Sequence, residues 1–98
     1  VIRHIVAFEL NTPDEEARLA HIRRMQDVLE ALAALDEVVS ITVRPDLGTA
    51  EGHWDVVLVS EHRSTADLEA YQVHPKHQQA AKIAGEFVAR RAIVDYEY

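Results

Sequence analysis

The chain has 98 residues, enough for one domain around one hydrophobic core, and its 17 Asp and Glu against 10 Lys and Arg leave a formal charge of −7. That charge argues against nucleic acid and anionic membrane as partners. There is no cysteine, which excludes disulfides, thiolate nucleophiles and thiolate metal sites, and no apolar run approaches the ~18 residues of a membrane span.

These features, with no charged-then-apolar leader before Val1, lead us to expect a single domain over residues 1–98 in the cytoplasm. From Ile2 to Leu10 the residues alternate, with Ile2, His4, Val6, Phe8 and Leu10 on one face and Arg3, Ile5, Ala7 and Glu9 on the other. This predicts a first strand whose second face is half apolar. Thr12-Pro13-Asp14-Glu15 reads as a capping box, with Thr12 as the cap, Pro13 at the first helical position and Glu15 three residues after the cap. The helix opened there runs from Asp14 to Leu35. It carries Leu19, Ile22, Met25, Val28, Leu29, Leu32 and Leu35 at spacings of three and four, so that stripe is expected to pack inward.

Val38 to Arg44 is rich in β-branched residues and predicts a second strand, ended by Pro45 and a loop over residues 46–52. Trp54 to Ser60 is the third strand, and its unbroken run from Val56 to Val59 predicts burial on both faces. Ser64-Thr65-Ala66-Asp67 repeats the capping-box pattern and opens a short helix through Tyr71. Pro75 then restarts the chain as a longer helix with the stripe Ala80, Ile83, Ala84, Phe87 and Val88, and Arg91 to Glu97 alternates as a fourth strand.

The order βαββαβ is that of an α+β, ferredoxin-like fold: a four-stranded antiparallel sheet with helices on one face. The other face would hold Ile5, Ala7, Val39, Ile41, Val43 and either Val57 with Val59 or their neighbours. A second copy is expected to cover it, giving a homodimer through sheet faces that a charge at Ile41 would weaken.

Chemistry concentrates between Leu68 and His77. Proline at 75 disfavours helical geometry at His74 but suits the first position of a new helix, so helix, break, helix is expected. His77 then falls in a first helical turn, whose partial positive charge disfavours an imidazolium and keeps a neutral ring available to accept a proton. Tyr71 would reach the same pocket from the other side of the break.

Ile2-Arg3-His4-Ile5-Val6, the run Trp54 to Glu61, Leu68-Glu69-Ala70-Tyr71-Gln72-Val73-His74-Pro75-Lys76-His77 and Ala92-Ile93-Val94-Asp95-Tyr96 resemble the stress-responsive A/B barrel domain family across nearly the whole chain. The resemblance implies a ferredoxin-like protomer and a dimeric α+β barrel built from two four-stranded sheets. A plant member of the family closes a linear polyketide thioester by an intramolecular aldol reaction. It uses a tyrosine and a histidine that match Tyr71 and His77, with a strand-one histidine matching His4 near the pocket. Carried over at those positions only, Tyr71 would polarise a carbonyl oxygen and His77 would take an α-proton; beside them we expect His4, Val6, Phe8 and His74 to contact substrate. The polyketide itself does not carry over, because residues 14–35 here contain no aromatic side chain, whereas the plant enzyme lines its pocket with them.

Each of these residues also has a plainer reading. His77 reads equally as a helix-terminus histidine bonded to a carbonyl, Tyr71 as a buried aromatic whose hydroxyl finds a partner, and His4 as a satisfied core histidine. His74 and His77 form an HxxH, but His74 falls outside regular helix and no glutamate or cysteine assists, so no metal or cofactor is expected. No nucleophile elbow or phosphate loop supports a hydrolase or a nucleotide site. Two classes remain. One is a cyclase-, isomerase- or lyase-like enzyme taking a small apolar carbonyl compound; the other is a noncatalytic stress-associated or ligand-binding dimer.

Overall fold

In the computed structural model, residues 1–48 and 50–98 are described. Thr49, inside the expected loop, lies outside the described residues. Strand β1 (Ile2–Leu10) sits in the sheet interior and alternates buried with half-buried positions along its whole length. It pairs antiparallel with β3 (Val56–His62) on one side and β4 (Val88–Glu97) on the other, and β2 (Ser40–Pro45) pairs with the far side of β3. The order β2-β3-β1-β4 with α1 (Glu15–Glu30), α2 (Thr65–Val73) and α3 (Pro75–Gly85) is the expected ferredoxin-like βαββαβ arrangement, its second helix broken in two. No helix among the described residues is long and apolar enough to cross a membrane.

The expectation of a barrel is overturned: the sheet is open, with β2 and β4 as its two edges and no strand joining them among the described residues. The expected barrel drew on two four-stranded sheets, and the single sheet of this chain supplies half of the roughly eight strands that closure needs.

The core lies between the helices and the sheet face that carries Ile2, Val6, Phe8 and Leu10, with Met25, Leu29 and Leu32 reaching down from α1 and the 3₁₀ turn that follows it. Each of these side chains contributes roughly 1.5–3 kcal/mol by leaving water. Leu19, expected in that stripe, is 47% exposed.

Ile41 and Val43 also belong to this core, 7% and 0% exposed, and not to the second face where the sequence placed them. Ile41 pairs with Ser60 and Val43 with Leu58, and because side chains alternate with a period of two, that register turns both toward the helices. The second face instead carries Ile5 and Ala7 from β1, Val57 and Val59 from β3 and Ala92 and Val94 from β4.

The α1 cap also differs from the expected box. Asp14, in extended conformation, accepts the Ala17 amide at 2.8 Å, so the cap lies two residues beyond Thr12 and the helix begins at Glu15. Ser64 does cap α2, accepting from the Asp67 amide at 3.1 Å. Past Val88 every residue of β4 is exposed, because the helices stop short of this edge. A hollow is left between α3 and β4.

Candidate functional site

That hollow is a cavity of about 520 Å³, floored by His4, Val6 and Phe8 of β1 with Leu58 of β3 and walled by α3 and β4. The break between α2 and α3 places its polar groups. His74 is extended, its ring Nδ1 accepts the Lys76 amide at 3.1 Å, and Pro75 follows as the first helical residue. Ending α2 at Val73 leaves its last carbonyls without helical partners, and the His77 ring takes one of them. His77 Nδ1–H donates to the Gln72 carbonyl at 3.1 Å. A carbonyl can only accept, so this bond fixes the proton on Nδ1 and leaves Nε2 with the lone pair.

Burial holds the proton affinity of His77 below that of an ordinary histidine, against the opposing pull of the Gln72 carbonyl; the charges of His4, Arg91 and His62 add to the lowering. The direction matches the sequence expectation, but the leading cause is desolvation, not the helix terminus.

The Tyr71 ring lies 4.5 Å from that of His77, centroid to centroid, and 4.8 Å from that of His62, inclined to both. It is wholly buried, its hydroxyl has no hydrogen-bond partner among the described residues, and burial pushes its pKa up to about 12. At neutral pH it is therefore a proton-bearing donor.

His4 lies 6.4 Å from Tyr71 and hydrogen-bonds through Nδ1 to Asp95, the residue directly opposite it on β4. His62 is spent structurally: Nδ1–H donates to the Glu37 carbonyl at 2.7 Å and Nε2 accepts from the Ser60 hydroxyl at 2.9 Å.

Of the residues singled out from sequence, His4, Val6, Phe8, Tyr71 and His77 line this one cavity, whereas His74 is outside its wall and caps α3. The HxxH nitrogens named above are engaged with backbone, and no group of three or more His, Asp or Glu stands close enough to hold a metal among the described residues. Sequence reasoning passed over Asp95 and Arg91. Both have odd numbers on an alternating strand, the parity that faces His4 and Phe8, but only the β1–β4 register reveals it.

The model of the stress responsive A/B barrel domain family matches residues 2–98. Among solved structures, a dimeric protein of unknown function and ferredoxin-like fold from Bacteroides fragilis superposes with a TM-score of 0.88 at 32% identity, covering 99% of this chain and 95% of that one. A dimeric ferredoxin-like protein of unknown function from Thermobifida fusca gives 0.84 at 30% identity, with 99% and 90% covered. The Arabidopsis thaliana stress-response A/B barrel domain-containing protein DABB1 is 31% identical over 85 residues, which are 84% of this chain and 40% of that protein. The chain spans less than half the length of the curated relatives it matches.

Proposed function

This chain belongs to the stress responsive A/B barrel domain family, and from that premise we propose that it is a small enzyme that removes a proton next to a carbonyl, in a cyclase-, isomerase- or lyase-like step. The observation that carries this reading is the convergence of two complementary groups on one largely apolar cavity. His77 has its proton fixed on Nδ1 and its Nε2 free, and Tyr71 holds an unspent hydroxyl beside it. The apolar body of a substrate would rest on Val6, Phe8 and Leu58. His77 Nε2 would take the α-proton, and the Tyr71 hydroxyl would donate to the carbonyl oxygen as negative charge develops there. Hydrogen-bonded to Asp95, His4 would hold its ring fixed against the same space.

The working form in this proposal is a homodimer joined through the sheet face opposite the helices. Support comes from the two dimeric relatives at 32% and 30% identity and from the uncovered apolar side chains of that face.

One observation favours a second reading, a noncatalytic ligand-binding or stress-associated dimer. The Tyr71 hydroxyl is sealed from solvent, so a ligand reaches it only if its surroundings give way.

Deuterium exchange separates the two. A panel of apolar ketones and thioesters incubated with the protein in heavy water is expected to include one that exchanges its α-proton. His77→Ala should abolish that exchange and Tyr71→Phe reduce it, a positioned base being worth on the order of 10² to 10⁴ fold. Exchange that survives His77→Ala, or is absent throughout the panel, leaves the second reading standing.

A further inference from the structure

We infer that Arg91 is a carboxylate anchor, so that the compound taken by this cavity carries an anionic group on the β4 side of its apolar body. This rests on the proton-abstraction reading above and specifies its substrate class. The strand arginines make the case by contrast. Arg3 of β1 pairs with Glu61, Arg44 of β2 with Glu30, and Arg90 of β4 with both oxygens of Glu9. Arg91 alone among them has no carboxylate partner among the described residues, in a chain with 17 acidic side chains to offer. Its position explains why.

Both arginines border the cavity, but adjacent residues of a strand point to opposite faces, so the Arg90 side chain goes outward to Glu9 while Arg91, opposite Phe8, is on the cavity side. A bulge at Ala89, where the pairing steps from Glu9–Arg90 to Leu10–Val88, fixes that phase just before the site. The spacing is then set by the sheet. Asp95 faces His4 at one end and Arg91 faces Phe8 four residues further along, roughly 13 Å of strand. Between them lie Val6, Leu58 and Ile93, which suit an alkyl or aryl body and offer nothing to a charge. A planar guanidinium can grip a carboxylate with two parallel bonds, a geometry an ammonium lacks.

Octanoate and octanol, equal in length and different in charge, test this by calorimetric titration at low ionic strength. Octanoate is expected to bind about tenfold more tightly than octanol, as a charge-assisted hydrogen bond in a partly exposed site would provide. Arg91→Gln should bring the ratio close to one while leaving octanol affinity unchanged, which also shows that the cavity is intact. Arg44→Gln, which removes the same charge from a strand edge outside the cavity, should leave the ratio as it was. The groups set against the His77 ring are Tyr71 from α2, whose ring is 4.5 Å away, and the charges of His4 from β1, His62 from β3 and Arg91 from β4, with Asp95 bonded to His4 behind them. Of these, octanoate neutralises only Arg91, so its binding should move the His77 NMR titration midpoint upward and octanol should not. Equal affinities, a ratio that survives Arg91→Gln, or no octanoate binding overturns the inference. Binding is read here without turnover. Loss of the carboxylate preference therefore removes this assignment alone, and loss of α-proton exchange with the preference kept removes the catalytic reading alone.

Discussion

At the scale of single residues the site is a set of buried polar groups whose bonds decide what each can still do. His77 has committed one nitrogen to Gln72 and its protonated form is disfavoured by burial, so at neutral pH it is a free base. Its folded proton affinity lies below the ~6.5 of an unfolded histidine, and exchange activity should therefore rise with pH through a midpoint under that value and be flat around neutrality. An NMR titration that places the His77 midpoint above 7 would remove the base from the mechanism. The same shift has a consequence for stability. His62, also lowered by burial, and His77 both bind a proton more tightly in the unfolded chain, so acidification through ~6.5 favours unfolding, and stability should be fully present above that pH and fall below it. Tyr71 separates function from stability. Its buried hydroxyl has no partner, an arrangement that costs about 1–3 kcal/mol, so Tyr71→Phe should leave the midpoint of urea unfolding unchanged or raise it while it slows exchange. A clear loss of stability would mean that the hydroxyl has a structural partner. Tyr71 and His77 were legible in the sequence because a local event, the proline at 75, juxtaposes them. Asp95 and Arg91 were not, because their places depend on pairing with residues more than eighty positions away.

At the scale of elements, caps and breaks set where side chains point. The sequence pattern located both helix-opening segments, and Ser64 and Pro75 start α2 and α3 as expected. It misplaced the start of α1, since Thr12, Pro13 and Asp14 offer two cap registers and the spacing to Glu15 favoured the earlier one. Asp14 wins by bonding Ala17 directly, with Glu15 and Glu16 behind it in the first turn where the helix dipole favours acid. Asp14→Ala should therefore lower stability by about 1 kcal/mol while Thr12→Ala changes little, a difference that urea unfolding resolves. The reverse order would restore Thr12 as the cap. The α2–α3 break matters more for function, because an unbroken helix would satisfy the Gln72 carbonyl internally and leave the His77 ring without the bond that fixes its tautomer.

At the scale of the whole molecule, the ferredoxin-like βαββαβ order was legible because element order and alternation are properties of the chain read along its length, whereas the barrel expected with it was not formed. The phase of an edge strand was not, since Ile41 and Val43 alternate equally well toward either side and only pairing with Ser60 and Leu58 decides. This changes the test of the proposed dimer. Ile41→Asp would bury an unpaired charge in the core, at a cost of several kcal/mol, and should unfold the protomer instead of dissociating it. Val94, 61% exposed in the protomer and paired with Ile5 on the uncovered face, is the position that separates association from folding. A carboxylate there meets water when the chain is alone and meets Ile5, Val57, Val59 and their copies when two sheets pack face to face. Val94→Asp is therefore expected to keep the circular dichroism of the native protein while light scattering at micromolar concentration shifts from a dimer mass to a monomer mass. Because the cavity opens on the opposite face of the sheet, octanol affinity should persist in that monomer. A native protein that scatters as a monomer, or a Val94→Asp variant that stays dimeric, would show that this face does not join the two copies.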